Sequence, residues 1–317
     1  MLEKAKKAVP VEVPDRLDVK VGFACNNHCR FCVQGEKRKK YGRRSKEEIY
    51  KILERNAEGR GGVVFTGGEP SLHPDILDLA SRARELGYKS IQIQTNGRMF
   101  AYEKFCRDAI EAGVTEFSPA LHGHTAALHD YLTTVEGSFE QTVRGIRNLK
   151  NLGQKVVTNS VITRSNFRHL PEIAELLVDL RVDQYQLAFV HPVGSAGPDC
   201  NFASIVPRFE LLEGYLHDAL QVGIDAGLAV MTEAVPYCFM KGYEQYVGER
   251  IMPSTRIFDA EGVIEEYRDY RLEEGKSKGP PCAKCDLDDI CEGPWREYTD
   301  SYGWAEFKPV ISKHNKH

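Results

Sequence analysis

Apolar and polar residues alternate along Asp18–Ala24, the pattern of a strand with one covered face. Val63–Phe65, Lys89–Gln94, Thr115–Leu121, Lys155–Thr163 and Gln184–Val190 are further short runs rich in β-branched and apolar residues. Between them a helical period covers Glu47–Ala57, Pro74–Leu86, Tyr102–Ala112, Ser138–Leu152 and Leu170–Leu180. Local punctuation agrees. Ser45 with Glu48 reads as a capping box, Gly113 stops a helix, and Pro171 starts one. Six strands alternating with five helices through short connections predict βα units and a parallel sheet, an α/β fold. Six units are too few for a closed eight-stranded barrel; a partial (β/α)6 barrel fits the count.

The pattern changes after Gly194. Ser195–Asn201 reads as a loop, Phe209–Ala226 as one long amphipathic helix, and Leu228–Met231 as a possible further strand. From Tyr237 onward the periodicity is poor and Gly, Pro, Tyr and Cys are frequent. The expected division is a barrel over 1–200, a connecting helix and strand over 201–235, and a small Cys-rich C-terminal extension over 236–317. A segment this short usually needs a metal to hold it.

Apolar residues make up 42% of the 317 positions, ample for a core. No uninterrupted apolar run approaches a membrane span, and Met1–Pro14 lacks the apolar stretch of a secretory signal. A net charge of −4 argues against general nucleic-acid binding. Nine cysteines, an odd number without a signal, argue against a disulfide framework and for a cytoplasmic setting with free thiols.

Six of those cysteines fall in two groups. Cys25, Cys29 and Cys32 are spaced C-x3-C-x2-C at the end of the first strand. A loop this short can wrap three thiolates around one face of a [4Fe-4S] cluster, leaving one iron open to a small molecule. A three-Cys zinc knuckle has the same ligands. The spacing, with Phe31 directly before the third Cys, resembles the radical SAM superfamily, and Gly67-Gly68-Glu69-Pro70 at the end of the second strand resembles that family's GGEP motif. The resemblance implies the partial (β/α)6 barrel. It also implies that the open iron chelates S-adenosylmethionine, while the backbone and carboxylate of the GGEP motif receive the methionine ammonium. The bound pair then yields a 5′-deoxyadenosyl radical that abstracts hydrogen from a substrate carbon.

Thr95-Asn96-Gly97 resembles the family's third-strand ending. Leu121-His122-Gly123 with Leu128-His129-Asp130 resembles its fourth-strand stretch, with Ala120 where Ser is common. By position at strand ends, Asn96, Asn159, Ser160 and Arg164 are candidate contacts to S-adenosylmethionine, each with a structural role as the alternative. No Gly-x-Ile-x-Gly adenine motif stands out, so Phe31 and the backbone around Val190–Pro192 are adenine candidates.

Cys282, Cys285 and Cys291, spaced C-x2-C-x5-C, resemble the auxiliary-cluster region of SPASM or twitch proteins, with Trp295 where a further Cys would continue the pattern. The resemblance implies a second, auxiliary [4Fe-4S] cluster on Cys238, Cys282, Cys285 and Cys291; four Cys suit structural zinc equally well. Cys200 is an alternative ligand or a thiol near substrate, and Cys106 reads as core. His122 and His191 are candidate substrate or acid/base groups. The basic run Lys37–Arg44 reads as a solvated face, or as a patch that steers an anionic substrate or a reductant of the flavodoxin or ferredoxin type.

SPASM-like C-termini favour a peptide or protein side chain as substrate, modified by net oxidation or cross-linking. Few residues precede the first strand, leaving no room there for a winged peptide-recognition domain. The alternative is a small-molecule or cofactor-biosynthesis enzyme of cyclase or dehydrogenase type. A third reading, from another class, is a non-catalytic iron–sulfur or zinc protein.

Overall fold

The computed structural model describes residues 15–58 and 61–311; Met1–Pro14 and the polar tail Ser312–His317 lie outside the described residues. All six expected strands form: β1 (Arg16–Gly22), β2 (Gly62–Gly67), β3 (Ser90–Thr95), β4 (Glu116–Pro119), β5 (Lys155–Ile162) and β6 (Gln184–Phe189). The further strand is β7 (Ala229–Glu233). The expected helices form as α1 (Lys46–Asn56), α2 (Ile76–Glu85), α3 (Glu103–Ala112), α5 (Ser138–Asn151), α6 (Leu170–Asp179) and α7 (Phe209–Asp225). The capping box at α1 is complete, with Ser45 Oγ accepting from the Glu48 amide and Glu48 accepting from the Ser45 amide.

Several elements were not expected. Helix α4 (Ala126–Thr133) follows β4, so Leu128-His129-Asp130 is helical and not part of a strand ending. Strands β8 (Thr255–Asp259) and β9 (Gly262–Ile264) lie in the Cys-rich segment, which ends in α8 (Arg296–Tyr302). The strand order is β7-β6-β5-β4-β3-β2-β1-β8-β9, parallel throughout except for the β8–β9 hairpin. β8 pairs in parallel with β1 from Arg16↔Thr255 to Val19↔Phe258. The C-terminal segment therefore shares the barrel's sheet. No described helix is long and apolar enough to cross a membrane.

The side-chain period of two sets the layers. Leu17, Val19 and Val21 of β1 are buried outward against the helices. Arg16, Asp18 and Lys20 face the other way, into a cavity of about 520 Å³. Gln92 and Gln94, Glu116 and Ser118, Asn159, Gln184 and Gln186, and Glu233 line the same cavity from successive strands. The apolar core thus lies between sheet and helices, while the barrel interior is polar.

The segment after β7 closes the barrel. Val247 bridges Thr232 of β7, and Met252, Pro253 and Thr255 carry the wall round to β8. Arg271, 1% exposed, holds this closure. Its guanidinium lies 2.9 Å from each of three carboxylates: Glu233 of β7, Glu249 of the closing segment, and Glu292 beside Cys291. Its cation also packs 5.2 Å from the Trp295 ring. Removing one member of a buried charge cluster leaves the others unpaired. Arg271→Ala is expected to destabilise the fold by about 3–5 kcal/mol, read as a lower urea midpoint in anaerobic melts.

Candidate active site

The Cys25–Cys32 loop leaves β1 at the carboxyl edge of the sheet, where parallel α/β folds collect their functional loops. Two glycines make room for it. Gly67 has φ +124°, a conformation that favours glycine, and a Cβ there would collide with the Gly22 carbonyl. A Cβ on Gly68 would press into the carbonyl oxygens of Phe23 and Ala24. With no side chains between them, the backbones join: Gly68 donates to the Gly22 carbonyl and Glu69 to the Ala24 carbonyl, both at 2.8 Å.

Glu69 is 3% exposed, and its carboxylate organises the neighbouring strand ends. Oε1 accepts from the Ser71 amide (3.0 Å), the Ser71 hydroxyl (2.6 Å) and the Thr95 hydroxyl (2.6 Å); Oε2 accepts from the Asn96 amide (2.6 Å). Burial raises its pKa, against these donors, which favour the charged form. Pro70 starts the tight turn behind it. Asn96 then reaches the Cys loop, donating to Asn26 Oδ1 at 2.6 Å.

Other elements pin the same loop. Arg98, next to the Thr95–Gly97 turn, donates to the Asn26 carbonyl and to Asn27 Oδ1. The end of α4 receives the amides of His28 and Arg30 on the carbonyls of Thr133 and Leu132. The β6 loop donates its Ser195 amide to the Cys32 carbonyl. Cys25 Sγ accepts from the Asn27 amide at 3.4 Å, and Cys32 Sγ from Arg38 at 3.6 Å. Burial pushes the Cys29 thiol up to about 12, with Cys32 and Cys25 adding to it. Three mutually close thiols, with donors already aimed at two of the sulfurs, fit a cluster that takes thiolate ligands.

A second set of thiols converges in the C-terminal segment. Cys238, Cys282, Cys285 and Cys291 line one small apolar recess with Tyr237, Pro281, Pro294 and Phe307. Cys285 Sγ accepts from the Val310 amide and Cys291 Sγ from the Gly293 amide. Burial pushes the Cys238 thiol up to about 12, and the other three cysteines reinforce it. Four thiols lining one recess offer the ligand number of a fully ligated cluster, while among the described residues no group of three or more Cys, His, Asp or Glu is placed to hold a single metal ion.

Comparison with known proteins agrees with this geometry. The family model of the radical SAM superfamily matches residues 19–184, more than half of the chain. The chain belongs to the radical SAM superfamily. An AdoMet-dependent heme synthase from Oleidesulfovibrio alaskensis is 30% identical over 175 residues, 55% of this chain and 45% of that protein. A probable GTP 3′,8-cyclase from Saccharolobus solfataricus is 30% identical over 181 residues, 56% of this chain and 58% of that protein. The chain spans about half the length of these curated relatives. Among solved structures, Streptococcus suis SuiB bound to S-adenosylmethionine superposes with a TM-score of 0.66 at 18% identity, covering 97% of this chain and 79% of that one. The enzyme anSMEcpe, with AdoMet and the Cp18Cys peptide, gives 0.65 at 16% identity, covering 94% and 93%. These likenesses show the fold. Membership of the radical SAM superfamily implies a [4Fe-4S] cluster and S-adenosylmethionine, and Cys25, Cys29 and Cys32 are the residues that would hold the cluster.

The remaining predicted residues divide. Asn159 lines the barrel cavity, and its Oδ1 is buried without a partner. Ser160 is fully buried and donates to the Leu121 carbonyl, so its hydroxyl ties β5 to the β4 loop instead of facing a ligand. Arg164 is exposed and donates to the Ala203 carbonyl at 2.7 Å, away from the cavity lining. Phe31 is buried edge-on against His122, with ring centres 4.8 Å apart. His191 stacks on Trp295 at 3.8 Å and faces Glu297. Cys200 is exposed in its loop and is not among the residues of the four-thiol recess, which leaves Cys238 as the fourth thiol there. Cys106 is core.

His122 is enclosed and structural. Its Nδ1 accepts from the Val161 amide, and its own amide donates to His129 Nδ1. Burial lowers the pKa of His122 to about 3, with His129 adding to the effect, and lowers that of His129 to about 4. An acid/base role for His122 therefore does not fit. Sequence reasoning missed Arg98 and Asn27; their only signal was adjacency to Asn96 and Cys25.

Two outcomes follow from this packing. Gly68→Ala is expected to cost about 1–3 kcal/mol through overpacking and to lower the iron content of the purified protein, read by melts and iron assay. The buried histidines take up protons in the unfolded chain near 6.5 but not in the fold. Stability should therefore fall as pH drops from about 6.5 toward 4, by up to about 1.4 kcal/mol per pH unit per histidine. His129→Gln, which keeps an acceptor for the His122 amide, should flatten part of that slope in anaerobic denaturation.

Proposed function

We propose that this radical SAM enzyme oxidises or cross-links a side chain of a peptide or protein, with a second [4Fe-4S] cluster on Cys238, Cys282, Cys285 and Cys291. The observation that carries the proposal is the convergence of those four thiols on one recess, separate from the three-thiol loop. Four protein ligands would leave no iron free for S-adenosylmethionine, so a cluster held there would supply electron transfer. Cys25, Cys29 and Cys32 would hold the first cluster, which with S-adenosylmethionine and an external reductant of the flavodoxin or ferredoxin type would supply 5′-deoxyadenosyl radical chemistry. The chain's own part is to orient and enclose. Gly67 to Glu69 hold the loop against β1, and the polar lining from Asp18 to Gln186 gives a hydrophilic substrate partners inside the barrel. The fold shared with SuiB and anSMEcpe supports a peptide substrate by analogy alone.

A small-molecule substrate is the second reading. The curated relatives named a heme synthase and a probable GTP 3′,8-cyclase favour it, as does a cavity of a size that encloses such ligands.

Reconstituted protein is expected to bind about eight irons per chain, two cubanes' worth. About four irons with zinc would make the C-terminal site structural. Cys29→Ala should abolish 5′-deoxyadenosine formation under dithionite while retaining the C-terminal metal. Anaerobic incubation with short peptides encoded beside the gene should yield a product lighter by two hydrogens. Conversion of a nucleotide or tetrapyrrole, with every peptide left unchanged, would favour the second reading.

A further inference from the structure

The run Lys37–Arg44 does not form one solvated face. Lys37 is paired with Asp259 (2.8 Å) and Glu261 (2.9 Å) of the β8–β9 hairpin. Arg44 donates to the carbonyls of Lys20 and Asp259. Lys39, Lys40 and Arg43 are exposed. Arg38 turns inward. One guanidinium nitrogen donates to the Asn27 carbonyl at 2.6 Å and lies 3.3 Å from His28 Nδ1; the other donates to Cys32 Sγ at 3.6 Å. The turn that carries Arg38 is anchored by Lys37, and the fork is held by the same loop that carries the thiols.

A permanent cation on a ligating sulfur has a defined electrostatic effect. A cluster gains one negative charge on reduction, and a nearby positive charge stabilises that state. Hydrogen bonds to the sulfurs act in the same direction, since both withdraw charge from the metal site. A guanidinium brings its charge together with a fork of donors, so charge and hydrogen bond act on the same sulfur.

We infer that Arg38 raises the reduction potential of the cluster held by Cys25, Cys29 and Cys32, so that an external one-electron carrier can reduce it. This rests on the cluster assignment above. One electron passes from the carrier to the cluster; no bond at Cys32 is made or broken, and Arg38 keeps its protons. Arg38 acts through Cys32 and is not itself catalytic.

The test is an anaerobic redox titration followed by electron paramagnetic resonance, with iron assayed on the same samples. The signal that changes on addition of S-adenosylmethionine identifies the open-iron cluster. In Arg38→Gln the midpoint should move to a more negative potential at unchanged iron content, and 5′-deoxyadenosine formation should slow more with a weak reductant than with excess dithionite. An unchanged midpoint in the iron-loaded variant overturns the inference. Only molecules that hold a cluster give the signal, so partial iron loss does not hide the shift. Should the glutamine variant take up no cluster, Arg38→Met, which keeps a long side chain without the charge or the donors, is titrated in its place. A negative shift there supports the inference and an identical midpoint overturns it. Wild-type protein with no such signal would defeat the cluster assignment itself, a result distinct from an unchanged midpoint.

Discussion

The site depends on the absence of two side chains. Gly67 and Gly68 let the backbone of β2 lie directly on Gly22–Ala24, so that the amides of Gly68 and Glu69 reach carbonyls of the strand that launches the Cys loop. Contact at this distance is available only to bare backbone. Once it forms, Glu69 is carried into the protein, where four donors from Ser71, Thr95 and Asn96 meet its carboxylate. The third strand end is thereby fixed to the second, and Asn96 and Arg98 hold Asn26 and Asn27 from the far side. The three thiols are held by this chain of backbone and amide contacts more than by any packing of their own.

The polar barrel interior follows from the same alternation that builds the core. β1 buries Leu17, Val19 and Val21 under helices, so Arg16, Asp18 and Lys20 necessarily face inward. Such an interior is costly to leave dry, because unpaired buried polar groups carry a desolvation penalty. A ligand or water must meet groups such as the partnerless Asp18 Oδ1 and Asn159 Oδ1. The lining therefore suits a hydrophilic occupant, whichever substrate class proves correct.

Much of this was legible in the sequence because it is local. Strand alternation, helical period and the capping box need only a few neighbouring residues, and the six strands and six of the helices emerged from them. The two cysteine groups and Gly67–Pro70 were legible as spaced motifs. What escaped was either short or distant. α4 is barely two turns and follows a His-Gly-His run, which reads as loop. β8 is five residues long and takes its identity from pairing with β1, some 240 positions away. Arg271 gathers Glu233, Glu249 and Glu292 from three separate stretches, and no local pattern links them. Arg38 looked like one cation in a basic run; only the turn geometry aims it at Cys32. Ser160 and Arg164 were chosen for their position at a strand end. Position gave the edge correctly but not the direction in which each side chain leaves it.

The two thiol sites belong to one mechanical unit. β8 pairs with β1, whose end carries Cys25, and Lys37 beside Arg38 is paired to the β8–β9 hairpin. Arg271 joins β7 to Glu292, next to Cys291. Trp295 stands where a further Cys would continue the C-terminal pattern. It is clasped between His191 at the end of β6 and the Lys276 ammonium 3.9 Å from its ring. A thiol there would add a ligand. The indole instead adds a large packed surface between barrel and extension, and aromatic rings of this size dominate the energetics of such contacts. The C-terminal segment thus exchanges one potential ligand for a rigid attachment to the barrel. Under the two-cluster reading proposed above, such fixed spacing would let electrons pass with no domain motion to bring the sites into register.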